Sequence, residues 1–190
     1  MKLINQVVDV MKCSPELFIK TYMDLNHVAA IHMGLNSWIK ARESSFMFGD
    51  SWSMQMAPFN NGVPKKGAYL KYADEWDKNH KDAPTFGAIW FCSYPYGMIE
   101  QYPGLIVNSK LEEMKDQLIN TIDFYAPMDY EILATAAMEA YLETAHEDMV
   151  AVENLQFDVD FNLKTTGTFH PILPSGVKHW KTWMESNRVE

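Results

Sequence analysis

Two histidines lie close together in the stretch Asp24-Leu-Asn-His27-Val-Ala-Ala-Ile-His32. Asp24 and His27 are three residues apart, so they would share one face of a helix. His27 and His32 are five residues apart, which is roughly 140° around a straight α-helix. Their rings can converge only if the helix bulges or ends between them, an irregularity that is frequent at functional sites. The alternative is a pair of histidines with satisfied polar atoms near the end of a helix.

An aspartate begins the apolar face of a later predicted helix. The apolar stripe of that helix comprises Val152, Leu155 and Val159, and Asp148 precedes Val152 by four residues. A buried carboxylate is costly unless a cation or strong hydrogen-bond donors meet it. The alternative is an acid in the first turn that the helix dipole stabilises. That alternative fits the acids off the stripe better, namely Glu143, Glu147 and Glu153.

Two imidazoles and one carboxylate are the ligands of a mononuclear non-haem Fe(II) site, which keeps open positions for O2 and substrate. His27, His32 and Asp148 are therefore a candidate set of metal ligands. Spacing in the sequence suggests this set but does not establish it, because Asp148 is distant from the histidines along the chain.

Three segments resemble the catalytic domain of the alpha subunits of Rieske-type ring-hydroxylating oxygenases. The run D-x-x-H-x-x-x-x-H, from Asp24 to His32, is similar to the iron motif of that family. The run E-D-x-x-x-x-E-x-x-Q, from Glu147 to Gln156, is similar to the segment that carries the third iron ligand. The segments Gly167-Thr-Phe-His-Pro171 and Ser175-Gly-Val-Lys-His179-Trp180-Lys-Thr-Trp183 are similar to the end of the domain. The three pieces occur in the family's order.

The resemblance implies a helix-grip (START-like) fold, in which a curved antiparallel sheet covers a long C-terminal helix and leaves a cavity between them. It also implies that Fe(II) is held by His27, His32 and Asp148. Asp24 would hydrogen-bond a ligating histidine and carry the electron route, which is a known use of a carboxylate behind a ligand imidazole. A homotrimer follows from the resemblance as well.

A Rieske cluster requires two cysteines and two histidines in C-x-H and C-x-x-H pairs. The sequence contains neither pair, since Cys13 precedes Ser-Pro-Glu and Cys92 precedes Ser-Tyr-Pro. We therefore expect residues 1–190 to form a single oxygenase-like catalytic domain without a Rieske domain. Its electrons would come from a separate Rieske or ferredoxin-type protein.

The predicted elements around these residues mix helices and strands. A helix begins at Ser14, where Ser-Pro-Glu supplies an N-cap, a proline and an acid in the first turn, and runs to about His32. Extended chain is predicted over 44–58, a helix over 68–84, and strands over 85–93, 96–109 and 115–125, with a polar connection over 108–115. A helix follows over 129–143, then a second helix over 145–162 that opens at a Thr144–Glu147 capping box, and a short last helix over 177–185. This order predicts an α+β fold with an antiparallel sheet.

The composition excludes several classes of protein. The 190 residues carry 25 acids and 16 bases, for a formal net charge of −9, which argues against binding nucleic acid or an anionic membrane surface. No signal peptide or membrane span is apparent, so a soluble cytoplasmic protein is expected.

The leading hypothesis is a non-haem iron oxygenase that hydroxylates or oxidatively demethylates a small aromatic or apolar substrate with O2. Residues expected to face its cavity from the strands, with ordinary core packing as the alternative, are Trp52, Met54, Trp90 and Tyr94. A cation–π cage for a quaternary amine is a further option that the sequence cannot position. The second hypothesis is a non-catalytic helix-grip module that binds a small hydrophobic ligand, with zinc or no metal at the same residues.

Overall fold

The centre of the fold is a seven-stranded antiparallel sheet. The computed structural model describes residues 1–115, 117–160 and 175–187. The strands are β1 Lys2–Met11, β2 Ser45–Gly49, β3 Trp52–Pro58, β4 Phe86–Ser93, β5 Gly97–Tyr102, β6 Leu105–Met114 and β7 Gln117–Ala126. Their order across the sheet is β1-β7-β6-β5-β4-β3-β2. The predicted α+β class with an antiparallel sheet is confirmed.

Six helices are described beside the sheet: α1 Pro15–Met23, α2 Val28–Ile31, α3 Met33–Trp38, α4 Ala68–Asn79, α5 Glu131–Asp160 and α6 Gly176–Asn187. The 30 residues of α5 span about 45 Å at about 1.5 Å per residue. This helix contacts α1, α3, α4 and the strands β1, β6 and β7. The arrangement is helix-grip-like, with one long helix against an antiparallel sheet. None of the described helices is long and apolar enough to cross a membrane.

The main core lies between α5, α4 and the sheet. Small side chains on α5 let the helix approach its neighbours closely, and those that are fully buried are Ala134, Ala136, Ala137 and Ala140. Aromatic side chains from the surrounding elements fill the remaining space, namely Trp38, Tyr69, Tyr72, Trp90, Tyr102, Phe124 and Tyr141. Part of the aromatic content of the sequence is therefore explained by this core.

In the middle of the sheet the number of strands and their boundaries differ from the prediction. The strand predicted over 96–109 is two strands, β5 and β6, which turn at Pro103-Gly104 with Gly104 at φ +81°. Glycine adopts this conformation without the cost that a side chain adds. The polar connection expected over 108–115 is instead the second half of β6. Its residues are polar because that end of the strand is exposed at Glu112 and Glu113.

The long helix also differs from the prediction, because Thr144 does not begin a new helix. The Thr144 side chain lies 3.0 Å from the Tyr69 hydroxyl and 3.4 Å from the Ala140 carbonyl, which its Oγ1 reaches within α5. Packing of α4 on α5 therefore overrides the local capping signal. At Ser14 the predicted cap is confirmed, since the Leu17 amide donates to Ser14 Oγ at 3.2 Å.

Strand β1 was not expected. It pairs with β7 at one edge of the sheet, and most of its side chains are at least partly exposed. Its sequence lacks the apolar/polar alternation that identifies a half-buried strand, because the exposed residues Leu3, Val8 and Val10 are apolar too. The tail motif Gly167–Pro171 lies outside the described residues.

Candidate metal centre

The segment that carries the histidines is not a single helix. After α1 ends, residues Leu25–His27 form a 3-10 turn, and His32 lies in the link between α2 and α3 with φ −101° and ψ 80°. The helix expected from Ser14 to about His32 thus ends at Met23, and the interruption that convergence of His27 and His32 requires is present. It rotates the two rings toward each other, with their centroids 4.9 Å apart and their planes at 78°.

Asp148 joins the two histidines from the middle of α5. The distance from His27 Nε2 to His32 Nε2 is 3.0 Å, and Asp148 Oδ1 lies 3.0 Å from His32 Nε2 and 3.3 Å from His27 Nε2. Among the described residues these three form a group of His, Cys, Asp or Glu side chains that could hold a metal ion. The structure brings the predicted set together.

The distances within this group fit a metal ion. Ligands that occupy one face of an octahedron at about 2.1 Å from the metal are about 3.0 Å apart, and tetrahedral ligands are about 3.4 Å apart. The observed separations of 3.0, 3.0 and 3.3 Å fall in this interval. Three acceptor atoms this close repel one another unless a proton or a cation lies between them. Two nitrogens and one oxygen on a face suit Fe(II) with open positions.

The hydrogen bonds around His32 determine which of its ring nitrogens is available to a metal ion. Glu147 Oε2 lies 2.7 Å from His32 Nδ1, so a proton on Nδ1 is donated to Glu147 and Nε2 is the nitrogen that faces the group. A proton on Nε2 would be donated to Asp148, and a bound metal ion would take the place of that proton. Burial lowers the pKa of His32, but hydrogen bonds and charges from Asp148 and Glu147 outweigh it, and the pKa is raised. Burial raises the pKa of Asp148, but hydrogen bonds from His27 and His32 outweigh it, and the pKa is lowered.

The remaining residues of the E-D-x-x-x-x-E-x-x-Q motif fix α5 against the start of the chain. The amide of Lys12 donates to Glu153 Oε1 at 2.9 Å, and the amide of Ser14 donates to Gln156 Oε1 at 3.0 Å. These bonds set the position of α5 along α1 and so place Asp148 opposite the histidines. Val152 of the predicted apolar stripe is buried, whereas Leu155 is 36% exposed and Val159 lies outside the described side chains.

Replacing Glu147 with glutamine is expected to weaken Fe(II) binding about 10- to 100-fold, because carboxylates that orient a ligating histidine contribute about this much to metal affinity. The matched control is Glu139→Gln on the same helix, whose carboxylate pairs with Lys71 at 2.6 Å instead. Anaerobic titration of each variant with Fe(II) measures the affinity. Equal affinities for Glu147→Gln and the wild type would show that this contact does not orient His32.

Asp24 lies beside the triad without contacting it. Its Oδ1 accepts hydrogen bonds from the backbone and side-chain nitrogens of Asn26 at 3.0 and 2.7 Å, which caps the 3-10 turn. Nδ1 of His27 is buried and has no hydrogen-bond partner among the described residues. The hydrogen bond from His27 to Asp24 that the resemblance implies thus stays a prediction, and Nδ1 of His27 remains available for it.

A cavity opens on the triad between the sheet and α5. Trp90 lines it, as do both histidines and Asp148. Trp52 and Met54 are on the other face of β3, because the residues between them and beyond, Ser53, Gln55 and Ala57, are the buried ones. Tyr94 follows β4 and lies 2.7 Å from His179 Nδ1 of α6. Three of the four residues expected at the cavity therefore lie away from it.

Glu100 lines the same cavity and was not among the site residues predicted from the sequence. Its carboxylate is buried in β5 and accepts hydrogen bonds from the hydroxyls of Tyr102 and Tyr141 at 2.8 and 3.1 Å. Burial raises the pKa of Glu100 to about 7 despite these bonds. The sequence does contain a signal for this position. Side chains on a strand alternate between its two faces, so Glu100 shares the inner face with the apolar residues Met98 and Tyr102.

Known proteins are similar to this chain over most of its length. No protein-family model matches it. A putrescine 2-hydroxylase of Bordetella bronchiseptica is 28% identical over 190 residues, which cover 93% of this chain and 44% of that protein. Another, of Ralstonia nicotianae, is 28% identical over 178 residues, which cover 87% of this chain and 49% of that protein. The chain spans about half the length of these curated relatives.

Solved structures match the fold. The quaternary ammonium Rieske monooxygenase CntA, in complex with an inhibitor, has a TM-score of 0.67 at 14% identity and matches 97% of this chain and 49% of its own. Dicamba monooxygenase bound to 3,6-dichlorosalicylic acid has a TM-score of 0.65 at 14% identity, over 96% of this chain and 58% of its own. The resemblance to the catalytic domain of Rieske oxygenase alpha subunits is confirmed.

Proposed function

We propose that this chain is the catalytic domain of a mononuclear non-haem iron oxygenase. The observation that carries the proposal is the convergence of His27 Nε2, His32 Nε2 and Asp148 Oδ1 within 3.3 Å of one another at the wall of a cavity. The curated relatives are hydroxylases by name, and the reaction class fits these ligands.

Fe(II) on these three residues supplies the centre at which O2 is activated for insertion into a C–H bond. The overall reaction is R–H + O2 + 2 electrons + 2 protons → R–OH + H2O. The chain's own residues hold the metal, and Glu147 keeps Nδ1 of His32 protonated so that its Nε2 stays a ligand. The apolar and aromatic lining excludes water from the substrate and contributes its binding energy.

The two electrons must come from a donor outside residues 1–190, because no C-x-H and C-x-x-H pairs are available for a Rieske cluster. We place the docking site of that donor at Asp24, which is half-buried beside the exposed residues Asn26, Ala29 and Ala30. A homotrimer would bring a neighbouring subunit to this surface. The substrate is a small organic molecule, and putrescine is the first to try because both relatives are named for it.

Hydrogen peroxide tests the proposal without a donor. It stands at the oxidation level of O2 plus two electrons and two protons, so R–H + H2O2 → R–OH + H2O balances. Protein loaded anaerobically with Fe(II) is expected to hold one iron per chain and to hydroxylate putrescine when peroxide is added. Mass spectrometry of the product, with and without iron, measures the yield.

Protein loaded with Zn(II) in place of Fe(II) is the control, because zinc occupies such ligands without redox chemistry. A wild-type protein that folds and binds no iron would contradict the oxygenase proposal. Ligand binding without iron would instead support the non-catalytic module.

A further inference from the structure

The cavity beside the triad is rich in hydrogen-bond acceptors and poor in cations. Three carboxylates line it, those of Asp9, Glu100 and Asp148, while its described lining contains no lysine or arginine. Its only basic side chains are the two histidines of the triad. A neutral apolar ligand gains only from the apolar and aromatic part of the lining, whereas a ligand with positive charge gains from each carboxylate as well.

Glu100 is the most deeply buried of these acids. Its carboxylate is 5% exposed, and one oxygen accepts from Tyr102 while the other accepts from Tyr141. No lysine, arginine or histidine in the described part of the chain forms an ion pair with it. The Trp90 side chain is a third hydrogen-bond donor to Glu100, and the three neutral donors compensate only part of the cost of burying a carboxylate. A carboxylate can accept about four hydrogen bonds, so one further donor can still be accepted.

Asn120 is a second, independent sign that the cavity takes a ligand that donates hydrogen bonds. Its side chain lines the same cavity and is 3% exposed, and its Oδ1 has no hydrogen-bond partner among the described residues. In the sheet Asn120 lies directly opposite Asp9 on β1. Buried acceptors of this kind are normally paired. The cavity thus presents one acceptor without a partner on β7, Asn120 Oδ1, as well as the carboxylate of Glu100 on β5.

Aromatic rings surround the Glu100 carboxylate. Trp90 is its direct cross-strand neighbour on β4, and the Trp90 and Tyr102 rings meet edge to face with centroids 6.3 Å apart. Ring faces attract cations, most strongly in a desolvated site. A carboxylate between aromatic rings is a binding arrangement for an ammonium group.

We propose that the cavity binds a protonated aliphatic amine whose ammonium group donates to the Glu100 carboxylate beside Trp90 and Tyr102. Tyr141 precedes Asp148 by seven residues of α5, about 10 Å along the helix. The carbon chain of the amine therefore extends from Glu100 toward the triad. This inference rests on the proposed function and replaces the neutral aromatic or apolar substrate of the sequence analysis with a cationic one.

Isothermal titration calorimetry with n-butylamine and 1-butanol tests the inference at neutral pH, where the amine is protonated. The two molecules have the same number of heavy atoms and differ in charge. Wild-type protein should bind the amine more tightly than the alcohol. Glu100→Gln should weaken the amine about 10- to 100-fold, as expected for a charged hydrogen bond, and leave the alcohol unchanged. The control Glu112→Gln removes an exposed acid of β6 and should change neither affinity.

Equal binding of amine and alcohol by the wild type would overturn the inference, and this comparison stands even where Glu100→Gln fails to fold. Unchanged amine affinity in a folded Glu100→Gln protein would overturn it too. The iron content of the same samples separates the two proposals. Iron without amine binding overturns the inference alone, whereas Glu100-dependent amine binding without iron supports it and contradicts the oxygenase.

Discussion

Replacing Asp148 with asparagine is expected to abolish stable iron binding in a protein that still folds. Asp148 is the one anionic member of the triad, and its Oδ1 lies 3.0 Å from His32 Nε2 and 3.3 Å from His27 Nε2. Asparagine keeps the shape and can still accept hydrogen bonds from the histidines, but it removes the negative charge that balances a divalent cation. We expect the affinity for Fe(II) to fall more than 100-fold, which at about 1.4 kcal/mol per tenfold is a loss of more than about 2.8 kcal/mol of binding free energy.

Iron analysis after anaerobic loading and desalting measures this loss, and circular dichroism verifies the fold. Asp158→Asn, ten residues later on the same helix, is the matched control and should keep the wild-type content. His27→Ala and His32→Ala should lose iron as Asp148→Asn does. A full complement of iron in the Asp148→Asn protein would contradict this prediction and mean that the iron is held by other residues.

The need for a break in the helix between the two histidines could be predicted from their spacing in the sequence alone. Five residues on a straight helix separate two side chains by roughly 140°, so convergence requires a break. The break is present as the 3-10 turn that ends at His27 and the non-helical residue His32. The meeting with Asp148 could not be derived in this way, since it depends on how α5 lies against α1. The motif resemblance supplied it instead.

Other features of the site depend on tertiary contacts that local patterns do not show. Glu147 is off the apolar stripe of α5, so the sequence favoured a first-turn acid that the helix dipole stabilises, yet its carboxylate lies 2.7 Å from His32 Nδ1. On β3 large apolar residues alternate with small or polar ones, and it is the small or polar residues Ser53, Gln55 and Ala57 that face inward. Bulk alone does not decide which face of a strand is buried, because both faces of this part of the sheet are partly covered.

The tryptophan at the end of α3 anchors the segment that presents His32. Trp38 is 0% exposed, its Nε1 donates to the Gly87 carbonyl at 2.9 Å, and its ring stacks on Tyr72 with centroids 4.1 Å apart. His32 directly precedes α3, so the position of its ring depends on how this helix is held. The core under α3 and the metal triad are therefore coupled.

Trp38→Ala is expected to lower the free energy of unfolding by about 3–5 kcal/mol, as large-to-small changes of a buried tryptophan do. That is a large part of the about 5–15 kcal/mol that stabilises a typical domain. Urea unfolding measures it. Trp52→Ala, on the half-exposed outer face of β3, is the matched control and should cost less than about 2 kcal/mol.

The same pair of variants separates global stability from local positioning. Under conditions where both are folded, Trp38→Ala should bind Fe(II) more weakly than Trp52→Ala, because the loosened α3 no longer holds His32 3.0 Å from Asp148. Trp38→Phe keeps a ring on Tyr72 but loses the hydrogen bond to Gly87. Its free energy of unfolding and its affinity for Fe(II) should therefore lie between those of the wild type and of Trp38→Ala. Wild-type iron affinity in a destabilised Trp38→Ala protein would show that the contact of His32 with Glu147, rather than the packing of α3, positions the imidazole.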